Sequence, residues 1–332
     1  MVRPATPLGP IGLVLPTFVQ DTVPSWAAGA SPVDPAIEPV ADLAATCRQA
    51  EQLGADALWT CDHLFWHGPS LESMMVLAVA ATATERAMLG TCVVQLPLRQ
   101  APAVAKQAAT LQTLTQGRVI LGVGVGSHVG EYEQAGIDYH ARGSLLDAGI
   151  AELRRSWSTG QGSARGSTEA GATAEQRYLQ LPEPPAVPVW VGGSSEAALR
   201  RAATLADGWM PLFVEPNAYE QAIERLAKEV DRAGRALGAV TPSIVLFVSI
   251  DDDATEGLRR GTGWMSSLYG IPAKAFERHL VTGTAADVAT LIATYRRAGA
   301  EHVAVYVTAD QPFEQFERLI AALASAGVAS RG

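Results

Sequence analysis

The sequence predicts an α/β chain folded as a single (β/α)8 TIM barrel with insertions, and three observations predict it. Short apolar runs bounded by Gly, Pro or polar residues alternate with Ala- and Leu-rich stretches of helical spacing along the whole chain. Eight runs of each kind can be read, which fits a closed barrel more simply than an open doubly wound sheet with a composition break between its halves. The 332 residues exceed the roughly 250 that a bare barrel needs and leave material for insertions.

In chain order, Ile11–Leu15 is a strand candidate closed by Pro16, and Val40–Leu53 is the helix that follows, stopped at Gly54. Ala57–Cys61 pairs with helix Glu72–Thr84, Met88–Gln95 with Ala103–Thr115, and Arg118–Gly124 with Gly143–Trp157. The second half repeats the scheme: Pro188–Val191 with Glu196–Leu205, Gly208–Leu212 with Pro216–Leu237, Ile244–Ile250 with Ala285–Ala298, and His302–Val307 with Pro312–Ala326. The joints Leu53-Gly54-Ala55 and Ala298-Gly299-Ala300 repeat because the unit repeats. One domain is expected over residues 1–332, with a surface-loop insertion at 159–180, rich in Gly and Ser, and a second insertion at 251–283. Segments Gln20–Pro39, Leu64–Leu71, Ser127–Arg142 and Asp251–Gly283 follow strands, which places them on the C-terminal face where barrel active sites form.

Composition bounds the function classes. Hydrophobic residues at 48% and charged residues at 18% supply a packed core, and a net charge of −9 offers no basic footprint for nucleic acid or an anionic membrane. The apolar run Met74–Ala81 falls short of the ~18 residues of a membrane span. Ile11–Leu15 is too short for the apolar core of a signal peptide. Cys47, Cys61 and Cys92 form no CxxC pair, which fits a reducing cytoplasm, and no metal-ligand spacing or nucleophile elbow is present.

Three motifs carry chemistry. Asp62-His63 at the end of the second strand places an imidazole, a side chain suited to exchanging a proton with a reacting group, in the barrel mouth, with Trp66 and His67 close behind; a structural histidine held by Asp62 is the equal alternative. Gly122, Gly124 and Gly126 end the fourth strand with spacing G-x-G-x-G, which lets backbone approach a flat ligand but is not a dinucleotide fingerprint. Gly192-Gly193-Ser194-Ser195-Glu196 opens a helix after a strand, an arrangement that holds a phosphate or is a capped turn without a ligand. Arg99 reads as half of a structural ion pair.

Taken together, Ala55–His63, Leu89–Arg99, Gly117–Gly126, Pro188–Gly193 and Ala206–Trp209 resemble the bacterial luciferase-like flavin oxidoreductases over about residues 10–325, and Asp62-His63 most resembles the branch that uses coenzyme F420. The resemblance implies hydride transfer between F420 and a small organic substrate, such as reduction of an enone or imine-like acceptor or oxidation of an alcohol. It implies that Asp62 and His63 border the cofactor ring, with His63 as the catalytic proton donor, and that a non-proline cis peptide at Cys92–Val93 bulges against it. Gln95, Val125, Gly126, Ser127 and Gly130 are expected to line the cofactor, Gly192, Gly193, Ser195 and Glu196 to hold its phosphate tail, and Trp66 and His128 to bound the substrate. Where the deazaflavin sugar-phosphate dehydrogenases carry a catalytic glutamate this chain has Ser127, which argues against sugar oxidation. The resemblance also implies a homodimer. An FMN-dependent two-component monooxygenase and a non-catalytic flavin-binding protein of the same fold are the alternatives.

Overall fold

A computed structural model describes residues 10–18, 42–162, 186–309 and 311–327. Among the described residues ten strands form one sheet of parallel pairs: β1 (Ile11–Val14), β2 (Ala57–Thr60), β3 (Met88–Thr91), β4 (Val94–Gln95), β5 (Val119–Gly124), β6 (Val189–Gly192), β7 (Gly208–Met210), β8 (Thr241–Ile250), β9 (Leu280–Gly283) and β10 (His302–Val307). The order β10-β1-β2-β3-β5-β6-β7-β8 closes on itself because β10 also pairs with β8 over six residues, His302↔Ser243 to Val307↔Val248. This is the expected barrel. Its helices are α1 (Leu43–Gln52), α2 (Ser73–Ala83), α3 (Ala101–Leu114), α4 (Val129–Ala135), α5 (Arg142–Gly162), α6 (Glu196–Leu205), α7 (Pro216–Arg232), α8 (Ala254–Tyr269), α9 (Ala285–Arg297) and α10 (Pro312–Ser325).

The structure differs from the sequence expectation in three places. The run Met88–Gln95 is broken into β3 and β4, and the peptide between Cys92 and Val93 at the break is cis. The Gly-rich stretch after Trp157 begins as helix, since α5 continues to Gly162; the rest of the 159–180 segment and Gln20–Pro39 lie outside the described residues. The 251–283 segment carries α8 and then β9, which pairs with the upper end of β8 from Phe247↔Leu280 to Ile250↔Gly283. The apolar side chains Trp264, Met265 and Leu268 of α8 pack into the cluster that fills the barrel interior, and Trp264 meets Tyr306 of β10 at 5.1 Å between ring centroids. No helix among the described residues is long and apolar enough to cross a membrane.

Two indoles fill the lower barrel. Trp59 of β2 and Trp190 of β6 are buried with centroids 5.5 Å apart, and the Trp59 Nε1–H donates to His302 Nε2 at 2.9 Å, so the polar edge of the indole is satisfied inside the core. Glycine makes the room. A Cβ on Gly90 would lie 2.2 Å from Trp59 Cζ3, one on Gly12 would lie 2.5 Å from Trp59 Nε1, and one on Gly208 would lie 2.4 Å from Trp190 Cδ1. Core overpacking of this kind costs about 1–3 kcal/mol. Gly90→Ala is therefore expected to lower the free energy of urea unfolding by that amount, whereas a change below about 0.5 kcal/mol would show that the Trp59 ring has room to move.

Candidate active site

The segment after β2 turns into the mouth of the barrel, and two carboxylates hold it there. Asp62 is buried and its oxygens are occupied from the protein side: Ser73 Oγ donates to Oδ1 at 3.0 Å, the Gln95 backbone N–H to Oδ2 at 3.1 Å, and the Arg99 guanidinium forms an ion pair with Oδ1. Arg99 also reaches Glu72 at 3.2 Å, the structural ion pair the sequence suggests. Asp62 thus ties the end of β2 to α2 and to β4. It is expected from the resemblance at the cofactor ring, but its carboxylate is turned into the protein.

The second carboxylate is Glu131, in the first turn of α4 and with a fully buried side chain. Four donors converge on it. The backbone N–H groups of Leu64 and Phe65 reach Oε1 at 2.9 and 3.2 Å, while Gln95 Nε2 at 3.0 Å and His63 Nδ1 at 2.9 Å reach Oε2. Gln95 Nε2 also donates to the Asp62 carbonyl at 3.0 Å, which fixes the orientation of the amide. Burial works to raise the Glu131 pKa, but the hydrogen bonds from His63, Gln95 and Phe65 outweigh it and hold the carboxyl below its ordinary value. An ionised Glu131 accepts only, so Nδ1 of His63 carries a proton and Nε2 is the nitrogen left for chemistry. The His63 side chain is 20% exposed against 0% for Glu131, so the imidazole is the member of the pair that faces outward.

Glu131 is the functional residue that sequence reasoning missed. Gly130-Glu131-Tyr132-Glu133 reads as an ordinary acidic helix start, and only the fold distinguishes buried Glu131 from its exposed neighbour Glu133. The available signal was its place: an acid in the first helical turn beyond a glycine-ended strand, on the face that carries the site.

The glycines of β5 and Gly192 of β6 make room for the protein's own chain. A Cβ on Gly124 would lie 2.5 Å from Val93 Cγ2, one on Gly122 would lie 1.9 Å from the Thr91 carbonyl oxygen, and one on Gly192 would lie 2.8 Å from Val93 Cγ1. They accommodate the bulge at Cys92–Val93 that separates β3 from β4. Gly126, at φ +68°, accommodates the Gln95 side chain, whose Oε1 would sit 1.8 Å from a Cβ there. Val125 and Ser127 offer backbone carbonyls to Tyr132 and Tyr139, and Gly130 stands beside the His128 ring.

Above this bulge the mouth is lined with rings. Trp66 lies over His63 with centroids 3.8 Å apart, and Phe18, His128 and Tyr269 surround the indole at 6.3, 5.5 and 5.9 Å. Trp66 and His128, the expected substrate walls, meet edge to face, so a planar molecule placed between them has to part the two rings. Trp66 Nε1, His128 Nδ1 and Gln95 Oε1 are buried and have no hydrogen-bond partner among the described residues. Three such atoms at one end of a barrel suit a polar ring system that supplies the missing partners.

The Gly192–Glu196 turn joins β6 to α6. Gly193 has φ +109°, and its carbonyl accepts from Trp209 Nε1 at 3.0 Å. Ser195 caps α6 by accepting the Ala198 N–H at 3.2 Å, which commits its hydroxyl oxygen to the helix, and exposed Glu196 pairs with Arg225 at 3.2 Å. The first-turn N–H groups of Glu196 and Ala197 are then the donors this turn presents to an anion. A solvent-open cleft of about 390 Å³, lined by residues including Phe213, His279, Leu291 and Tyr295, lies in the barrel wall, and His63 is not among its lining residues. Among the described residues no group of three His, Cys, Asp or Glu is placed to hold a metal.

Comparison with known proteins adds three kinds of finding. A family described as luciferase-like monooxygenase matches residues 12–262. A phthiodiolone/phenolphthiodiolone dimycocerosates ketoreductase of Mycobacterium tuberculosis is 29% identical over 265 residues, which cover 69% of this chain and 67% of that protein. Among solved structures, an F420-dependent secondary alcohol dehydrogenase in complex with an F420-acetone adduct superposes with a TM-score of 0.72 at 16% identity, covering 95% of this chain and 99% of that one. A riboflavin lyase with modified FMN and riboflavin superposes at 0.73 with 14% identity, covering 98% and 93%. At these identities the two structures are alike in fold.

Glu131→Gln tests the buried carboxylate. The substituted amide presents either an NH2 toward the Gln95 NH2 and the Nδ1–H of His63 or an NH2 toward the Leu64 and Phe65 N–H groups, so donors face donors in both orientations. The folded-state pKa of Glu131 lies below its unfolded value, so its stabilisation is complete above the unfolded pKa and is lost as pH falls through the folded one. The variant is expected to be about 1–3 kcal/mol less stable than the parent near pH 7, with the gap closing as the pH is lowered below about 4. Urea unfolding at a series of pH values measures this; a gap independent of pH would contradict it.

Proposed function

Because the chain belongs to the luciferase-like monooxygenase family, its barrel mouth is where redox chemistry is sought, and we propose that the protein is an oxidoreductase moving a hydride between coenzyme F420 and a small organic substrate. The observation that carries this reading is the His63–Glu131 pair: an outward imidazole whose inner nitrogen is held at 2.9 Å by a buried carboxylate. Two of the similar proteins are named for ketone and alcohol chemistry, which favours a carbonyl–alcohol couple over enone or imine reduction.

When bound, the deazaflavin supplies the hydride-carrying centre. The chain's own residues supply the rest. Val93, at the bulge between β3 and β4, would help hold the ring. Gln95, Val125, Gly126, Ser127 and Gly130 would hold it, and the buried polar atoms of Trp66, His128 and Gln95 would supply its hydrogen bonds. The Gly192–Glu196 turn receives the phosphate on the N–H groups of the first turn of α6, with Glu196 drawn aside by Arg225. Nε2 of His63 gives its proton to the substrate oxygen in reduction and takes it back in oxidation, while Glu131 stabilises the imidazolium in both directions. Asp62 is a positioning residue that fixes the segment carrying His63.

Three measurements test this. Fluorescence titration is expected to show binding of F420; binding of FMN alone would move the protein to the monooxygenase reading. His63→Ala is expected to retain F420 affinity and lose turnover of a secondary alcohol or ketone by about 10²–10⁴-fold, and undiminished turnover would remove the histidine from the chemistry. Ala197 is exposed in the first turn of α6, so Ala197→Asp suits the helix dipole while repelling an anion. It is expected to leave stability intact and weaken F420 about tenfold, equivalent to about 1.4 kcal/mol. Unchanged affinity would place the phosphate elsewhere.

A further inference from the structure

Of the chain's three cysteines, Cys47 is fully buried in α1, whereas Cys61 and Cys92 are partly exposed at the barrel mouth. Each is the first residue beyond its strand. β2 and β3 run parallel with Thr60 opposite Thr91, and the register continues one step further, since the Cys92 N–H donates to the Thr60 carbonyl at 2.8 Å. Cys61 and Cys92 therefore stand side by side on the same side of the sheet, with their sulfurs 3.9 Å apart. Adjacent positions on neighbouring strands fall within the Cα separations of about 4.4–6.8 Å that a disulfide spans, and rotation about χ1 is the movement that brings the sulfurs to about 2.05 Å.

We propose that Cys61 and Cys92 form a reversible oxidative modification site, closing to an intramolecular disulfide under peroxide. The inference goes beyond the hydride-transfer reading and holds whichever carrier the mouth binds. Cys61 Sγ attacks hydrogen peroxide, forming an S–O bond and breaking the O–O bond, and one water leaves with the thiol proton. Cys92 Sγ then attacks the sulfenic sulfur, forming the S–S bond, breaking the S–O bond and releasing a second water with its own proton. Two thiols are oxidised and one peroxide is reduced to two waters. The order follows from the environment: its hydrogen bond with Cys61 and then burial push the Cys92 thiol well above its ordinary pKa, which disfavours Cys92 as the sulfur that meets peroxide first, and Cys92 gives up its proton only as it attacks the sulfenic sulfur beside it. The crosslink would tie the residue before Asp62-His63 to the residue before the Val93 bulge, and a dithiol reductant reverses it.

The test is thiol counting and peptide mapping of the full chain after treatment with hydrogen peroxide. The free thiols counted in denaturant are expected to fall from three to one, with the Cys61 and Cys92 peptides joined and Cys47 free, and to return to three with dithiothreitol. Cys92→Ser and Cys92→Ala are each expected to abolish the crosslink and leave Cys61 to oxidise further to the sulfinic acid, whereas Cys47→Ala retains the crosslink. Stable sulfenic or sulfinic acid on Cys61 in the unsubstituted protein, a disulfide between two molecules, or a pairing that includes Cys47 would each overturn the proposal.

Discussion

The Glu131 carboxylate organises the mouth of this barrel. It lies on a short helix after β5, yet its four hydrogen bonds go to the side chain of Gln95 at the end of β4 and to three consecutive residues of the segment that leaves β2. A buried charge is tolerated only when its lone pairs are satisfied, and here the donors come from the segment after β2 and from β4 while the carboxylate sits on α4. These elements cannot shift independently without stranding that charge. Placement of His63, the orientation of the Gln95 amide and the path from Leu64 to Trp66 therefore follow from one desolvated group.

Asp62 plays the matching part lower down. It ties the same segment to α2 through Ser73 and to the start of the next helical turn through Arg99. The two acids divide the labour: Asp62 anchors the chain where the strand ends, and Glu131 aims the side chain that follows. A sequence cannot distinguish these tasks, because Asp62 is adjacent to His63 while Glu131 is 68 positions away.

Much of the fold was legible because period and punctuation are local properties. Alternating strand and helix runs, glycines closing helices and the barrel closure they imply are all found. The disagreements arise where tertiary contacts override local pattern. Residues 254–269 contain enough glycine and polar residues to look like a loop, and their helix is held by Trp264, Met265 and Leu268 inside the barrel. Gly122 and Gly124 looked like space for a ligand, but that space is taken by the protein's own backbone and by Val93. At the site, His63 was visible because histidine after a strand is chemically conspicuous; Glu131 was hidden because its role depends entirely on which distant groups it meets.

The ten-residue β8 holds β7 and β10 along its lower part and β9 only at its upper end. Barrel closure onto β10 uses Ser243–Val248, whereas the excursion through α8 leaves above that register and returns to the same strand as β9. This arrangement lets α8 stopper the upper end of the barrel with Trp264, Met265 and Leu268 while the hoop of strands beneath it keeps its circumference.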